Sequence, residues 1–299
     1  MCVIAAKYFE KTGWVGVKNR DRNYKPTVHV RQSYRGGIER MYIWDEKTKY
    51  TEGLNEFGVS ILSAAVATKK DEQEGFKNDE QDDVDRPFFS PDGKKIRKAL
   101  ISKNIKEALD KLIEYELPGN TIVFDKDKCF ILEGYFDLQE EYVYKYEEVK
   151  KNEYVIRTNH GIFLPLAGYQ ESEDPDEQKS RDSTVSRYEI SFKNVKKAKT
   201  AEELLGAISD SETDKDPQMN PLRISETHGS KTLVTTGQLM VTPSMLTLHY
   251  KPIWSNVKFN FDQLNSGKSK TFMEVISNKK LVSVDESVSK LLRFKDFAI

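Results

Sequence analysis

The sequence predicts an α+β fold in which two antiparallel sheets pack face to face and helices cover their outer sides. The main observation is the order of segments along the chain, which runs strands, helices, strands, helices and strands. Apolar residues form short blocks or alternate in the strand segments, and they recur at helical spacing in the others. Since the chain has no internal repeat and no long linker, we expect a single domain over 1–299, with about 265–299 as a C-terminal extension.

Composition limits the classes of protein that the chain can belong to. Of its 299 residues, 37% are hydrophobic and 32% are charged, which predicts a substantial core and a heavily solvated surface. The formal net charge of −1 gives no support for binding to nucleic acid or to an anionic membrane. No stretch approaches the ~20 apolar residues of a membrane span, and the N-terminus lacks the layout of a signal peptide. Two cysteines do not make a disulfide framework, so we expect a cytoplasmic protein.

The first segments place a cysteine beside a charged corner. Cys2 opens the apolar run 2–6, which suits a buried strand, and a second apolar run over 13–17 follows a short polar break. If a hairpin joins these two strands, the N-terminal cysteine lies beside the charged residues that end the second strand. These charged residues are Lys18, Arg20 and Asp21.

The position of Cys2 directly behind Met1 matters for its chemistry. Removal of Met1 would leave a thiol and a free α-amino group on the same residue. A free thiol titrates at about 8.5 and an α-amino group at about 7.7–8.0, so the amine can take the thiol proton near neutral pH. The alternative is an incidental cysteine next to a solvated turn.

The next segments are strands and turns, and an acidic stretch follows them. We expect strands over 27–33, 39–45 and 59–67, the last buried on both faces because its residues are small and apolar. Residues 69–85 are rich in aspartate and glutamate, which is typical of a solvated excursion. The alternative for this stretch is a lid over an active site.

Helical spacing begins after Pro91 and predicts two helices, the second capped by Asn104. A hairpin follows, with strands over 122–124 and 129–132. Cys129 lies in the apolar return strand, where a packed core thiol is expected.

The second half repeats the same kinds of element. Residues 170–184 form a second acidic loop, and Ser183 is the expected cap of the helix that carries Arg187. The remaining segments are expected to be strands at 142–144, 154–156, 232–240, 244–250 and 257–261, and helices at 201–209 and 286–294. The last three strands are enough for a second sheet.

Five motifs, taken in order, resemble the N-terminal nucleophile (Ntn) hydrolases of the choloylglycine hydrolase and penicillin V acylase group, together with the related acyl-coenzyme A:6-aminopenicillanate acyltransferase-like proteins. The first motif is the N-terminal cysteine, and the third is similar to the family's Gly-Met-Asn-Glu-Lys-Gly-Leu turn. The resemblance covers about residues 1–262. The motifs are Met1-Cys2, Lys18-Asn19-Arg20-Asp21, Gly53–Val59, Thr158-Asn159 and Ser186-Arg187-Tyr188.

The resemblance implies a four-layer αββα fold and roles for the residues near the N-terminus. Cys2 would attack an amide carbonyl and form an acyl-thioester, and Asp21 would hold the α-amino group through a charge-assisted hydrogen bond. The family has an arginine where this chain has Lys18, while Arg20 lies in the intervening position. Because lysine lacks the bidentate fork, both are candidates for the cation beside the thiolate, and the alignment favours Lys18.

The resemblance also implies an oxyanion hole. Asn159 would donate its side-chain N–H to the developing oxyanion, and a main-chain N–H near Ala65 or Val66 would be the second donor. The bile-salt and penicillin enzymes carry an asparagine or tyrosine there, which this chain lacks. Arg187 would orient Asn159 or the nucleophile region, and His160 is a loop residue or a substrate contact.

These features predict a cysteine amidohydrolase that cleaves a linear non-peptide amide, such as an N-acyl amine or N-acyl amino acid. Acyl transfer to an amine would use the same residues. A non-catalytic Ntn-fold binding protein is the alternative from another class. A class II glutamine amidotransferase also begins with a cysteine, but the sequence shows no second synthase domain, which argues against that assignment. We expect a small acyl-amide substrate, no cofactor and no metal, because the 4 histidines lack ligand spacing. A homo-oligomer is compatible with the sequence.

Overall fold

The computed structural model describes residues 2–66, 91–224, 232–261 and 290–293. Its strands fall into two sheets. The first sheet has six strands in the order β10-β1-β2-β11-β12-β14. These strands are β10 (Tyr154–Arg157), β1 (Cys2–Phe9), β2 (Gly13–Arg22), β11 (Val234–Thr242), β12 (Thr247–Pro252) and β14 (Lys290–Arg293).

The second sheet has eight strands in the order β13-β3-β4-β5-β6-β7-β8-β9. All neighbours in it are antiparallel except β13 and β3, which run parallel. Its strands are β13 (Asn256–Phe261), β3 (Thr27–Arg35), β4 (Ile38–Asp45), β5 (Thr51–Asn55), β6 (Ser60–Ala64), β7 (Gly119–Phe124), β8 (Cys129–Phe136) and β9 (Tyr142–Glu148).

Three separate cores establish four layers. The sheets pack on each other through a central core that includes Trp14, Met41 and Phe124. Helices α1 (Pro91–Ala99) and α2 (Ile105–Glu114) cover the second sheet through Ile96 and Leu109, among others. The outer face of the first sheet carries a third core, to which helices α3 (Pro175–Lys197) and α4 (Ala201–Ala207) contribute. The arrangement is an αββα sandwich, which confirms the predicted fold class.

Strand β1 shows how the sequence builds these layers. Its side chains alternate between the two faces of the sheet, as the pleat of a strand requires. Cys2, Ile4 and Ala6 enter the core between the sheets, whereas Val3 and Ala5 enter the core beneath α3 and α4. This is why the run has no polar residue, since both of its faces are buried.

The predicted hairpins and the cap of α2 are confirmed. Strands β1 and β2 are antiparallel neighbours, and so are β7 and β8. Asn104 caps α2, because its side-chain oxygen accepts the N–H of Glu107 at 2.9 Å.

The prediction of a loop over 170–184, ended by a Ser183 cap, is wrong. Helix α3 begins at Pro175, and Asp174 is its cap, accepting the N–H groups of Asp176 and Glu177. Proline suits the first turn of a helix, and acidic residues there favour the helix dipole. The acidic residues that suggested a loop therefore mark the N-terminus of helix α3.

The C-terminal strands are divided between the two sheets instead of forming one of their own. β11 and β12 extend the first sheet, whereas β13 joins the second sheet beside β3. The helix expected over 286–294 is also wrong where it is described, because Lys290–Arg293 is a strand paired with β12. The acidic stretch 69–85 and the end of the expected strand 59–67 lie outside the described residues. No helix in the described ranges is long and apolar enough to cross a membrane.

Candidate active site

Cys2 and the charged end of β2 lie opposite each other in the first sheet. The register pairs Cys2 with Arg20, and alternation along β2 then separates its charged residues by face. Lys18 and Arg20 point into the space between the sheets, where both contact Glu52 of β5. Asp21 points to the other face, where it contacts helix α3. The structure thus brings Cys2 and both predicted cations together on one face.

Both candidate cations bind the same buried carboxylate. Lys18 Nζ donates to Glu52 Oε1 and to the main-chain carbonyl of Ser63. Arg20 Nη1 donates to Glu52 Oε2 at 2.6 Å, and its Nη2 lies 3.5 Å from Asp45 Oδ2. All four charged side chains are fully enclosed. Glu52 therefore binds both candidates, and which of them lies beside the thiolate stays a prediction.

Arg22 completes this group and was not predicted from the sequence. Its Nε donates to Asp45 Oδ2 at 3.2 Å, so one carboxylate serves two arginines. We call Lys18, Arg20, Arg22, Asp45 and Glu52 the inner cluster.

The inner cluster acts on the Cys2 thiol. Burial alone would raise the pKa of this thiol, but the charges of Lys18, of the chain's terminal ammonium and of Arg22 outweigh it and lower the pKa to about 7. A thiol with this pKa is about half ionised at neutral pH, and the thiolate is the nucleophilic form. Burial likewise opposes ionisation of Glu52, but Arg20 and Lys18 lower the pKa of that carboxyl below its usual value.

Asp21 anchors a second charged group on the outer face of β2. Arg187 Nη2 of α3 donates to Asp21 Oδ2 at 2.6 Å, and Thr235 Oγ1 of β11 donates to Asp21 Oδ1 at 2.8 Å. Arg223 Nη1 lies 3.8 Å from the same carboxylate. Burial works against ionisation of Asp21, but Arg187 and Arg223 outweigh it and lower its pKa. Arg187 thus contacts the nucleophile region, one of its two predicted roles.

The main-chain nitrogen of Cys2 is held by Asn159, and the contact of Asp21 with the α-amino group that removal of Met1 would expose stays a prediction. It donates to Asn159 Oδ1 at 2.8 Å. Asn159 reaches this position because β10 lies next to β1, with Arg157 opposite Ile4. Asn159 lies two residues past the end of β10, where the antiparallel register brings it opposite Cys2. Removal of Met1 would turn this nitrogen into the α-amino group, with Asn159 as its acceptor.

The other end of the Asn159 amide faces the end of β6. Its Nδ2 donates to the main-chain carbonyl of Ala65. Ala65 is exposed, whereas Val66 after it is buried. Gly168 packs on the same spot with a φ of 75°, and an added Cβ would lie 2.7 Å from Val66 Cγ1 and 2.3 Å from the Asn159 carbonyl oxygen. The predicted oxyanion residues are therefore brought together, and Gly168 lets a further loop approach them.

The side chain of His160 packs against residues that adjoin the Asn159 turn. Its Nδ1 is 2.9 Å from Thr158 Oγ1 and 3.3 Å from Thr184 Oγ1, and its ring meets Tyr188 edge to face. Burial, with Arg181 and Arg157 nearby, lowers its pKa to about 4, so the imidazole is neutral. Thr184 Oγ1 also accepts the main-chain N–H of Asn159 at 2.8 Å. Ordering the Asn159 turn fits these surroundings better than the predicted substrate contact.

Sequence reasoning missed Glu52, Arg22, Asp45, Arg223, Thr184 and Thr235. A signal existed for Glu52, because it is the one charged residue in the segment 50–55 and a carboxylate in a buried segment needs a partner. Arg223, between Leu222 and Ile224, carries a weaker signal of the same kind.

No protein-family model and no curated protein sequence matches the chain. Similar solved structures include penicillin V acylase from Agrobacterium tumefaciens, with 11% identity, a TM-score of 0.46, and coverage of 84% of this chain and 83% of that chain. Another is the C2A mutant of conjugated bile acid hydrolase from Clostridium perfringens, with 8% identity, a TM-score of 0.45, and coverage of 99% and 93%. The four layers themselves are established by the sheets and cores of this chain.

Proposed function

We propose that the protein is a cysteine Ntn amidohydrolase that cleaves a linear, non-peptide C–N amide after Met1 is removed. The observation that carries this proposal is the setting of Cys2. Its nitrogen bonds to Asn159, and cations lower the pKa of its thiol to about 7. The thiol and its base then belong to one residue, whose nitrogen is hydrogen-bonded to the amide of Asn159, and nucleophilic catalysis needs such a base beside the nucleophile.

The reaction uses this geometry in order. The α-amino group of Cys2 takes the thiol proton, and Sγ attacks the amide carbonyl carbon to give a tetrahedral oxyanion. The Asn159 Nδ2 group carries two hydrogens, of which one binds the Ala65 carbonyl, so the second can be donated to the oxyanion. The main-chain N–H of Val66 is our candidate for the other donor. The C–N bond then breaks, the leaving amine takes the proton, and water hydrolyses the acyl-thioester.

The surroundings of Asn159 favour an apolar acyl group. The loop over 161–168 begins two residues after Asn159 and exposes Ile162 and Leu166, at 37% and 60%. The loop is fixed by buried Glu133, which accepts the N–H groups of Ile162 at 2.9 Å and Leu164 at 2.8 Å. Exposed apolar side chains on a fixed loop suit the acyl part of an N-acyl amine or N-acyl amino acid.

The test is hydrolysis of a panel of N-acyl amines and N-acyl amino acids by protein whose intact mass shows loss of Met1. We expect amide cleavage by the native protein and none by Cys2→Ala. Cys129→Ala is the matched control, because Cys129 is fully buried in the core and burial keeps its pKa well above the ordinary value. Equal cleavage by Cys2→Ala, or no cleavage of any panel member by the native protein, would contradict the proposal.

The same residues would support acyl transfer to an amine in place of water. Product analysis with and without an added amine separates the two reactions, and free acid as the sole product in both cases counts against transfer. A binding protein without catalysis would keep its biological role in Cys2→Ala.

A further inference from the structure

The inner cluster has an imbalance of charge. It contains the cations Lys18, Arg20 and Arg22 but only two carboxylates, Asp45 and Glu52. Their side chains are fully enclosed apart from Arg22, which is 13% exposed. Each cation contacts a carboxylate, but the described residues of the cluster carry one net positive charge. Uncompensated charge between two packed sheets is costly unless another group supplies the opposite sign.

The phenols around the cluster do not supply that charge. Tyr24 donates to Asp45, Tyr50 lies under Lys18 at 4.9 Å, and Tyr250 lies 3.0 Å from Ser255. Burial raises the pKa of all three phenols, so they stay neutral near pH 7.

The thiol of Cys2 is placed to supply it. Cys2 lies opposite Arg20, is only 4% exposed, and shares the core between the sheets with the cluster. On the outer face of β2, Asp21 binds Arg187 and lies 3.8 Å from Arg223. The net positive charge of the inner cluster favours an anion at Cys2.

We propose that Glu52 is a positioning residue that limits this excess positive charge, and so sets the fraction of Cys2 present as thiolate. The inference deepens the proposed function and rests on it for its kinetic consequence. Lys18 is also held by the Ser63 carbonyl, and Arg20 also by Asp45. Each cation therefore keeps a second acceptor when the carboxylate of Glu52 becomes an amide, which has one acceptor oxygen and no charge.

The test is Glu52→Gln, read by the ultraviolet absorbance of the thiolate as a difference against Cys2→Ala, from about pH 5 to about pH 9. Replacing the carboxylate by a neutral amide adds one net positive charge, so we expect the thiol to titrate about one unit lower or more. Lys18→Met removes a cation and is expected to shift the titration upward. Glu114→Gln, on the exposed face of α2, is the matched control and leaves it unchanged.

The result that overturns the inference is an unchanged or higher titration point in Glu52→Gln. If that variant does not fold, Asp45→Asn makes the same change of charge in the same cluster and must shift the titration in the same direction. The readout needs no substrate. Shifts as expected without cleavage of any N-acyl amide contradict the proposed function and leave the inference standing. Cleavage of an N-acyl amide without these shifts supports the proposed function and contradicts the inference.

A kinetic consequence separates this role from a merely structural one. A thiolate of lower pKa is a weaker nucleophile, with a Brønsted coefficient of about 0.4–0.5. Each unit of downward shift therefore lowers the rate of acylation about threefold at pH values above both titrations, and raises it about threefold below both, where the thiolate fraction grows about tenfold. A structural defect lowers the rate by the same factor at every pH.

Discussion

Asn159 combines three contacts that define the candidate site. Its Oδ1 accepts from the Cys2 nitrogen, its Nδ2 donates to Ala65, and its main-chain N–H is bound by Thr184. In the proposed mechanism, this one side chain therefore orients the base and is itself an oxyanion donor. An asparagine amide has a donor and an acceptor end. A residue that can only donate or only accept hydrogen bonds would therefore lose one of the side-chain contacts.

Asn159→Ala is expected to lower kcat by ~10²–10³, the usual cost of one oxyanion donor. KM should change far less, since the missing contact forms mainly in the transition state. Steady-state kinetics on the best substrate of the panel measures both values. Asn152→Ala removes an exposed amide from the turn before β10 and is the control. Retention of kcat within about threefold in Asn159→Ala would rule out the assigned role.

At the scale of the element, the side chains of β2 alternate between its two faces, so neighbouring residues contact different groups. The even positions Lys18, Arg20 and Arg22 bind the carboxylates of the inner cluster on the face that carries Cys2, while Asp21 anchors α3. Helix α3 carries both Arg187, which reaches Asp21, and Thr184, which holds Asn159. The helix therefore positions both sides of the site, and its first turn lies about ten residues before either contact.

Asp174→Ala removes the cap of α3 and is expected to cost about 1 kcal/mol of unfolding free energy. The thiol titration and kcat should stay unchanged, because the first turn is remote from Thr184 and Arg187. Urea unfolding gives the stability change. Glu189→Ala, on the exposed side of the same helix, is the control and should stay within ~0.5 kcal/mol of wild type. Equal stability of Asp174→Ala and wild type would be the contrary result.

At the scale of the whole molecule, local patterns predicted part of the fold and of the site. The hairpin of β1 and β2 and the cap at Asn104 depend on neighbouring residues, so the sequence contains enough information to place them. The contacts of Glu52 with Lys18 and of Arg223 with Asp21 join distant segments, and no local rule specifies such pairs. The start of α3 was missed because acidic residues serve both solvated loops and helix N-termini.

The buried carboxylates also determine how stability depends on pH. Asp21, Asp45 and Glu52 all have pKa values below their ordinary ones, because arginine or lysine charges outweigh the effect of burial. A carboxyl with a depressed folded-state pKa contributes stability that is complete above its unfolded-state pKa of about 4. This contribution is lost as pH falls through the folded-state value. The molecule is therefore expected to lose stability progressively below about pH 4.

Urea unfolding at pH 7 and at about pH 3 tests this expectation with Glu52→Gln as the variant. The variant should be less stable at pH 7 by ~3–5 kcal/mol, since it leaves buried cations with one carboxylate fewer. It should also lose less stability than wild type on acidification, because one of the titrating groups is gone. Glu114→Gln should match wild type at both pH values. If Glu52→Gln and wild type lose the same stability on acidification, Glu52 is not ionised in the folded protein, and the charge balance between the sheets would have to be assigned differently.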